Sequence, residues 1–342
     1  MKEIIYQLPN WTFEYKYLIV FSMAVLVSAV LIPGLIRYSI KNGYVDVPNV
    51  RKIHTHPIPN LGGIAIFCGL LVASLFWYRF FNSTDFLFII TGVLILFITG
   101  IIDDIKGMKA KRKLVFQILA SFIVVAGGIR ITSFYNFLGI GELPLIIQYL
   151  FSIIVIVGVI NAYNLIDGLD GLAGGIGIIN FGVMGYVFYS LHYTSFALLS
   201  FAVAGSLLGF LTYNFNPARI FMGDTGALIL GFLTVVLGIK AIELNENTQF
   251  YSSQNMLYLI SSIMFLPVFD TLRVFVVRII KHKSPFTAGK DHLHHILLKK
   301  GLNSREVAYI LITTNIIIIL IGFMINYIIP LQIFTSTLML IL

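Results

Sequence analysis

The chain has 342 residues, of which 58% are hydrophobic and only 11% are charged, and its mean hydropathy is +0.94. This composition excludes an ordinary soluble enzyme, because no soluble core needs so much apolar surface, and it indicates a polytopic membrane protein. The net charge of +8 would suit a nucleic-acid-binding protein, but the basic residues follow membrane topology, so we expect no nucleic acid partner.

Ten apolar stretches approach or exceed the length of about 20 residues that a helix needs to cross a bilayer. We predict helices, because an open sheet leaves backbone groups unsatisfied in lipid. The predicted spans are 17–38, 61–80, 86–102, 114–129, 143–162, 173–191, 196–213, 225–242, 257–279 and 306–327. The short apolar tail 330–342 leaves an eleventh span open. The predicted fold class is all-α, a single integral-membrane domain over 1–342 with 10–11 transmembrane helices.

Alternation of these spans divides the loops into two sets. Eighteen of the 23 Lys and Arg residues fall in one set and five in the other. The positive-inside rule therefore predicts that the first set, including the His-containing loop 281–305, is cytoplasmic and that the N-terminus is outside. Segment 1–16 carries aromatic residues and no cleavage-like site, which indicates an interfacial segment rather than a secretory signal.

Every polar motif lies on the predicted cytoplasmic side, and the first is loop 46–63. Its Lys52 and His54 could grip a phosphate or a nucleobase carbonyl. The positive-inside rule alone would explain the basic residues. It does not explain the stiff Pro-x-Pro sequence or the paired glycines that follow.

The second motif is a pair of adjacent aspartates, Asp103 and Asp104, followed by the basic cluster 106–113. Vicinal carboxylates suit Mg²⁺, which prefers oxygen ligands and often binds together with substrate phosphates. One of them could instead accept a proton or orient a nucleophile. The structural alternative is a helix end with flanking charge, although negative charge at a helix C-terminus opposes the helix dipole.

The third motif, 161–177, places Asn161, Asn164, Asp167 and Asp170 at three-residue intervals within a glycine-rich sequence. Ionisable groups at membrane depth are costly and are therefore functional candidates. On a single helix these residues would share one polar flank. The structural alternative is a polar helix end with a glycine-rich cap.

The fourth motif precedes the eighth span. Asn214 and Phe221 could bond to and stack on a base, although core packing explains the phenylalanine equally well. Asp224 or Thr225 could cap the helix that follows. The N-terminus of that helix, near Arg219, is also a ready site for an anion.

The fifth motif is a His-x-His-His cluster, His292, His294 and His295. Such a cluster could bind zinc. No Cys accompanies it and the other polar groups are oxygen donors, so we expect these rings to donate hydrogen bonds to a phosphate or sugar. Upstream, Asp270 and Arg273 have the spacing of a helical pair that neutralises itself.

Together the motifs supply carboxylates, amides and a ring of basic groups on one face. The carboxylates are Asp103, Asp104, Asp167, Asp170 and Asp224. Such a set suits a Mg²⁺ diphosphate site, because phosphoryl transfer depends on charge neutralisation and positioning. A site at the membrane surface suggests that one substrate is a lipid. The rival class is a transporter, whose polar residues would lie near the bilayer midplane rather than at span ends.

The motifs, taken in order, resemble those of the polyprenyl-phosphate N-acetylhexosamine-1-phosphate transferase superfamily. The segments that carry the resemblance are 46–63, 103–104, 161–171, 221–226 and 292–295. The resemblance implies a multi-pass protein of the bacterial inner membrane. It implies transfer of a sugar 1-phosphate from a UDP-N-acetylhexosamine to undecaprenyl phosphate, release of UMP, and Mg²⁺ as cofactor with Mn²⁺ as an alternative.

The resemblance also implies roles for residues of this chain. Metal binding falls to Asp224 and Asn164. Catalytic roles fall to Asp103, Asp104, Asp167 and Asp170. The candidate substrate contacts are Lys52, His54, Lys113, Asn161, Asn214, Arg219, Phe221, His292, His294 and His295. An ordinary aspartate, with a pKa of about 3.9, is a weak base at neutral pH. Asp103 is therefore expected chiefly to position the metal or the nucleophile.

The superfamily has two main branches that differ in the last motif. The peptidoglycan branch usually shows three consecutive histidines, whereas this chain has His-Leu-His-His. The pattern resembles the branch that transfers N-acetylglucosamine 1-phosphate to begin teichoic acid, lipopolysaccharide O-antigen or another surface glycan of the cell wall. The alternative is phospho-N-acetylmuramoyl-pentapeptide transferase. The sequence leaves open which glycan is made and whether the chain forms a homodimer.

Overall fold

A computed structural model describes residues 15–47, 56–76, 84–137, 139–248, 250–284, 289 and 291–328. The described residues form eleven α-helices and two short antiparallel hairpins. The helices are α1 Lys16–Asn42, α2 Gly62–Phe76, α3 Thr84–Lys106, α4 Ala110–Ala126, α5 Leu145–Ile166, α6 Leu172–Ser190, α7 Thr194–Asn214, α8 Gly223–Thr248, α9 Ser253–Ile280, α10 Leu293–Lys299 and α11 Ser304–Ile328. The hairpins pair β1 Val45–Asp46 with β2 Ile58–Pro59, and β3 Ser133–Phe137 with β4 Ile140–Glu142.

Each of the ten predicted spans corresponds to a helix, so the all-α prediction is confirmed. Within the described residues, seven helices are long and apolar enough to cross a membrane, which makes the chain a multi-pass membrane protein. They are α1, α3, α5, α6, α7, α8 and the Ser304–Met324 part of α11. The tail 330–342, where an eleventh span was left open, and segment 1–14 lie outside the described residues.

Helix α8 is the centre of the bundle, because it is buried along most of its length and packs against α3 and α5 on two sides. Polar contacts cross this apolar interior. Asn180 donates to the Tyr163 hydroxyl at 2.6 Å and to the Ile263 carbonyl at 2.9 Å, and Asn315 donates to Asn180 at 2.9 Å. These bonds join α5, α6, α9 and α11, as expected for buried polar groups that must find partners.

One end of the bundle gathers the polar helix ends. The C-termini of α3, α5 and α7 meet the N-terminus of α8 there. Helices α3 and α8 run antiparallel, so the first turn of α3 and the later turns of α8 lie at the other end. The loops between these helix ends carry the motifs and surround the site.

Candidate active site

A cavity of about 890 Å³ opens at the end of the bundle where the motifs meet. Its wall includes residues from all five motifs. They include Asp46, Asn60, Asp103, Asp104, Asn164, Asp167, Asp170, Asn214, Arg219, Phe221, Asp224 and His295. The loops that charge alternation assigned to one side of the membrane therefore do converge at one end of the molecule. The orientation of that end toward the cytoplasm stays a prediction.

Asp104 caps helix α8 from the neighbouring helix α3. Its Oδ1 accepts the Asp224 N–H at 2.8 Å, and its Oδ2 accepts the Thr225 N–H at 3.0 Å and the Thr225 hydroxyl at 2.6 Å. The first N–H groups of a helix have no partner within it, so this carboxylate satisfies them. The helix thus receives its cap from another element rather than from its own Asp224 or Thr225. The position of an acid at the end of α3 is explained, because it faces the positive end of α8.

The Pro-x-Pro and paired glycines of the first motif hold that motif against the fourth. The Phe221 N–H donates to the Pro59 carbonyl at 2.7 Å, and the Gly62 N–H donates to the Phe221 carbonyl at 3.0 Å. A Cβ on Gly63 would lie 2.2 Å from the backbone nitrogen of Gly226, so only glycine permits this approach. Backbone pairing therefore places Phe221 and Asp224 beside the first loop.

Two carboxylates from different helices share one cation next to the cavity. The Lys113 ammonium lies 2.6 Å from Asp224 Oδ2 and also contacts Asp103 Oδ2. The Asn164 amide donates to Asp224 Oδ1, and the Met108 N–H donates to Asp103 Oδ1 at 2.5 Å. We refer to Asp103, Lys113, Asn164 and Asp224 as the acidic centre. Its members come from α3, α4, α5 and α8, so the fold as a whole assembles it.

The acidic centre has the oxygen donors that a hard divalent cation requires. Asp103 and Asp224 already bind one positive charge, that of Lys113. Among the residues that the structure describes, no three His, Cys, Asp or Glu side chains are placed to hold a metal by themselves. Mg²⁺ usually binds one or two carboxylates and completes its shell with phosphate oxygens and water. The residues present therefore fit a Mg²⁺ ion that is shared with a phosphorylated substrate.

The two asparagines of the third motif have different surroundings. Asn164 lies in the last turn of α5 and reaches Asp224 in α8. Asn161, one turn earlier, points away from the cavity and donates to Gln117 Oε1 and to the Val157 carbonyl, both at 2.8 Å. The structure therefore places Asn164 at the site and uses Asn161 to join α5 to α4.

The two aspartates of that motif lie beyond the helix, because α5 ends at Ile166 and the turn that follows carries them into the cavity wall. Asp170 Oδ2 accepts the Ala218 N–H at 3.0 Å and so touches the fourth motif. Burial, together with the negative charges of Asp224, Asp104 and Asp170, raises the pKa of Asp167 well above its usual range. The Asp167 carboxyl group therefore holds a proton more readily than an ordinary aspartate does.

The fourth motif divides its residues between structure and site. Asn214 is only 5% exposed, accepts the Gly171 N–H at 3.0 Å and donates to the Ile220 carbonyl at 2.9 Å, so its amide joins two loops. Arg219 and Phe221 line the cavity. The motif therefore brings one basic and one aromatic residue to the cavity wall.

The histidine cluster approaches the cavity through its last member. His295 lines the cavity, whereas His292 and His294 are buried behind it. His292 Nδ1 lies 2.9 Å from Asp270 Oδ2. Burial and the neighbouring histidines lower the pKa of His294 to about 3, so this ring is neutral at physiological pH. Among the described residues, the histidine cluster included, no three His, Cys, Asp or Glu side chains are placed to hold a metal ion together.

Two predicted contacts, Lys52 and His54, lie outside the described residues. Three further residues, Asn60, Gln117 and Asp270, support the site through the partners that they bind. Asn60 donates to the Asp104 carbonyl at 3.0 Å, and Gln117 and Asp270 hold Asn161 and His292. Their partners are 22 to 44 positions away in sequence, and no local signal links them.

The sequence is similar to a known protein family and to several known proteins. Residues 86–242 match the family described as glycosyl transferase family 4. The chain is 33% identical over 319 residues to the probable undecaprenyl-phosphate N-acetylglucosaminyl 1-phosphate transferase of Bacillus subtilis, which covers 90% of this chain and 82% of that protein. It is 29% identical to the undecaprenyl-phosphate alpha-N-acetylglucosaminyl 1-phosphate transferase of Yersinia pestis, over 88% and 80% of the two chains. It is 31% identical to the decaprenyl-phosphate N-acetylglucosaminephosphotransferase of Mycobacterium tuberculosis H37Rv, over 79% and 72%.

Proposed function

Because the chain belongs to glycosyl transferase family 4, we propose that it transfers N-acetylglucosamine 1-phosphate from its UDP-sugar to undecaprenyl phosphate and releases UMP. The observation that carries this proposal is the acidic centre, in which Asp103 and Asp224 share the Lys113 ammonium group beside a large cavity. A cavity of about 890 Å³ has the size of a typical small-molecule site. Its place at a helix-bundle end suits a water-soluble donor and a lipid acceptor.

The side chains around the cavity can do most of what phosphoryl transfer requires. The reaction depends on positioning and on neutralising the phosphate charges rather than on covalent help from the protein. Lys113 and Arg219 supply positive charge on two sides, and His295 adds ring nitrogens for hydrogen bonds. Phe221 offers a flat surface on which a base can stack. The second pKa of a phosphate monoester is roughly 6, so the acceptor is already largely ionised near pH 7.

We further propose that Asp103 and Asp224, with the Asn164 amide oxygen, hold Mg²⁺, or Mn²⁺ in its place. When bound, the ion neutralises charge on the diphosphate. Asp104 has a different role in this proposal, because both of its oxygens are used by the start of α8. It holds Asp224 in position and is not expected to touch the phosphates.

The alternatives fit less well. A transporter would place its polar groups near the bilayer midplane, whereas here they gather at one end of the bundle. The relatives above are named for N-acetylglucosamine rather than for a muramoyl-pentapeptide. The excess of basic residues in the loops at the cavity end supports an inner-membrane location with the cavity facing the cytoplasm.

A donor panel tests the proposed function. The purified protein in detergent is given undecaprenyl phosphate, Mg²⁺ and one of UDP-GlcNAc, UDP-GalNAc or UDP-MurNAc-pentapeptide, and UMP release is measured. We expect UDP-GlcNAc to be the preferred donor. Preference for the muramoyl-pentapeptide donor would move the chain to the peptidoglycan branch, and no UMP from any donor would refute the proposal.

A further inference from the structure

Asp270 is a buried carboxylate in α9 that no role assigned so far uses. It is 2% exposed, and its two oxygens receive three hydrogen-bond donors. His292 Nδ1 lies 2.9 Å from Oδ2, while the Leu293 N–H and an Arg273 N–H reach Oδ1 at 3.0 and 2.8 Å. Two of these donors belong to the start of α10, not to α9. Asp270 therefore ties the histidine segment, residues 291–295, to helix α9.

Ring contacts link His292 to the cavity wall through His294 and His295. The His292 ring is parallel to that of His294 within 8°, with centroids 5.8 Å apart, and the His294 ring is 4.3 Å from that of His295. A carboxylate on Nδ1 fixes both the tautomer and the orientation of an imidazole. Because His295 lines the cavity, a bond made at Asp270 sets the position of a ring in the cavity wall.

The other side of the histidine segment rests on the third motif. A Cβ on Gly168 would lie 2.9 Å from His294 Nε2, so the ring packs directly on the turn that carries Asp167 and Asp170. His294 is only 2% exposed. The histidine rings thus lie between α9 and this turn. A displacement of the rings at α9 would therefore change their contact with the turn.

A second set of contacts holds the same segment less tightly. Arg273 also donates to the Asp291 carbonyl, and Arg278 Nε donates to Asp291 Oδ2 at 3.1 Å. The Asp291 side chain is 43% exposed, in contrast to that of Asp270. The two acids bind the same segment to the same helix, but only Asp270 touches a histidine.

We propose that Asp270 is a positioning residue for the nucleotide-sugar donor, acting through His292 to hold His294 and His295 in the cavity wall. This inference rests on the proposed function. Asp270 lies behind the histidines and does not line the cavity, so it acts on the donor only through them. The described contacts of Asp270 with the start of α10 all go to the histidine segment, which is predicted from the sequence to contact the donor, so the lipid acceptor should be affected much less.

The test separates donor binding from acceptor binding and from folding. Asp270→Asn keeps the size of the side chain but cannot accept from all three donors. We expect it to raise the KM for UDP-GlcNAc about 10- to 100-fold, the size of effect found when a metal-binding histidine loses the partner that orients it. The KM for undecaprenyl phosphate and kcat should change less than about threefold. Asp291→Asn is the matched control and should leave both KM values near those of the wild type.

A second pair of variants keeps the inference testable if Asp270→Asn fails to fold. His292→Asn can still donate to Asp270, so it should raise the donor KM less than His292→Phe does. Calorimetric titration with UMP, without lipid, should show the same order of affinities. Equal rises in both KM values, a loss confined to kcat, or no difference between His292→Asn and His292→Phe would overturn the inference. Absence of wild-type turnover would instead count against the proposed function.

Discussion

Helices α3 and α8 carry a carboxylate–lysine–carboxylate cluster at each end of their contact. At one end lies the acidic centre, where Lys113 bridges Asp103 and Asp224. At the other end Lys240 lies 2.9 Å from Asp85 Oδ2 and 2.7 Å from Glu243 Oε1. We call these three residues the far cluster. The lysines of the two clusters thus make nearly the same contacts. Asp224 of the acidic centre and Lys240 of the far cluster are about 24 Å apart along α8 at a rise of about 1.5 Å per residue.

The surroundings of the two clusters differ completely. The far cluster takes two of its members from one helix, at i and i+3, and adjoins a cavity of about 200 Å³ lined mainly by apolar side chains. The acidic centre draws its members from four helices and adjoins the large cavity where five motifs meet. A lysine between two carboxylates is therefore no sign of catalysis by itself. What distinguishes the acidic centre is that separate helices bring it to a large cavity lined by residues of all five motifs.

The largest difference in activity between the two clusters is expected when one acid of each is neutralised. Asp224→Asn and Asp103→Asn should each lower the rate of UMP release about 1000-fold, because removing one preorganised electrostatic contact has effects of that order. Asp85→Asn, in the far cluster, should stay within about threefold of the wild type. Circular dichroism checks that all three remain folded. A fully active Asp224→Asn protein would remove that residue from the mechanism.

Replacing the two lysines separates an effect on activity, expected for Lys113, from an effect on stability, expected for Lys240. Lys113→Met should reduce turnover about 100-fold, because it removes positive charge from the phosphate site. Lys240→Met should leave turnover per folded protein unchanged but should lower the free energy of unfolding by about 1–3 kcal/mol, because its carboxylates lose their buried partner. Turnover and thermal unfolding are measured on both variants. The opposite pattern, with Lys240→Met inactive and stable, would mean that the roles of the clusters are assigned the wrong way round.

Backbone contact at the cavity end gives a third, smaller effect. Gly63→Ala would place its Cβ against Gly226, so the loop that carries Phe221 and Asp224 must shift. Displacement of catalytic groups by about 1 Å can cost up to 100-fold, and we expect a 10- to 100-fold loss in kcat/KM. Gly34→Ala is the control, because nothing lies within 4 Å of its added Cβ. Equal activity of the two variants would show that the contact between the first and fourth motifs is not needed.

The smallest predicted effect is a dependence of stability on pH at the cavity end. The folded protein lowers the pKa of His294 to about 3, below the ordinary value of 6.5, so the unfolded chain binds the proton more readily. Stability should therefore fall as the pH drops below 6.5, by about 1.4 kcal/mol per unit. His294→Asn should flatten the decline in melting temperature from pH 7 to pH 5. Replacing the exposed His192 by Asn should leave the decline in melting temperature unchanged. The same slope in both variants would contradict the contribution of His294.

Much of this architecture could be read from the sequence. Hydropathy located ten of the helices, since each apolar run must satisfy its backbone as a helix, and seven helices of the described residues are long and apolar enough to cross a membrane. The excess of Lys and Arg in one set of loops predicted that the motifs share one end, and they do. Asp103, Asn164 and Asp224 were predicted as neighbours from the resemblance of their motifs, and they meet in the acidic centre.

The division of labour among similar residues could not be read from one sequence. Asp104 caps a helix that begins 120 positions later, and Asn161 pairs with Gln117 on another helix. These roles depend on tertiary partners, which local spacing does not encode. The i,i+3 relation of Asp270 and Arg273 was visible and is real, but the contact with His292 that gives Asp270 its importance was not.

We propose that the acidic centre, and not the far cluster, holds a divalent cation between two phosphorylated substrates. The most direct test is UMP release from UDP-GlcNAc by purified wild-type, Asp224→Asn and Asp85→Asn proteins, with and without undecaprenyl phosphate and across a Mg²⁺ titration. We expect UMP release only when lipid phosphate and Mg²⁺ are both present, and we expect it to be lost in Asp224→Asn and kept in Asp85→Asn. Release that needs neither the ion nor Asp224, or that needs Asp85 instead, would contradict this proposal.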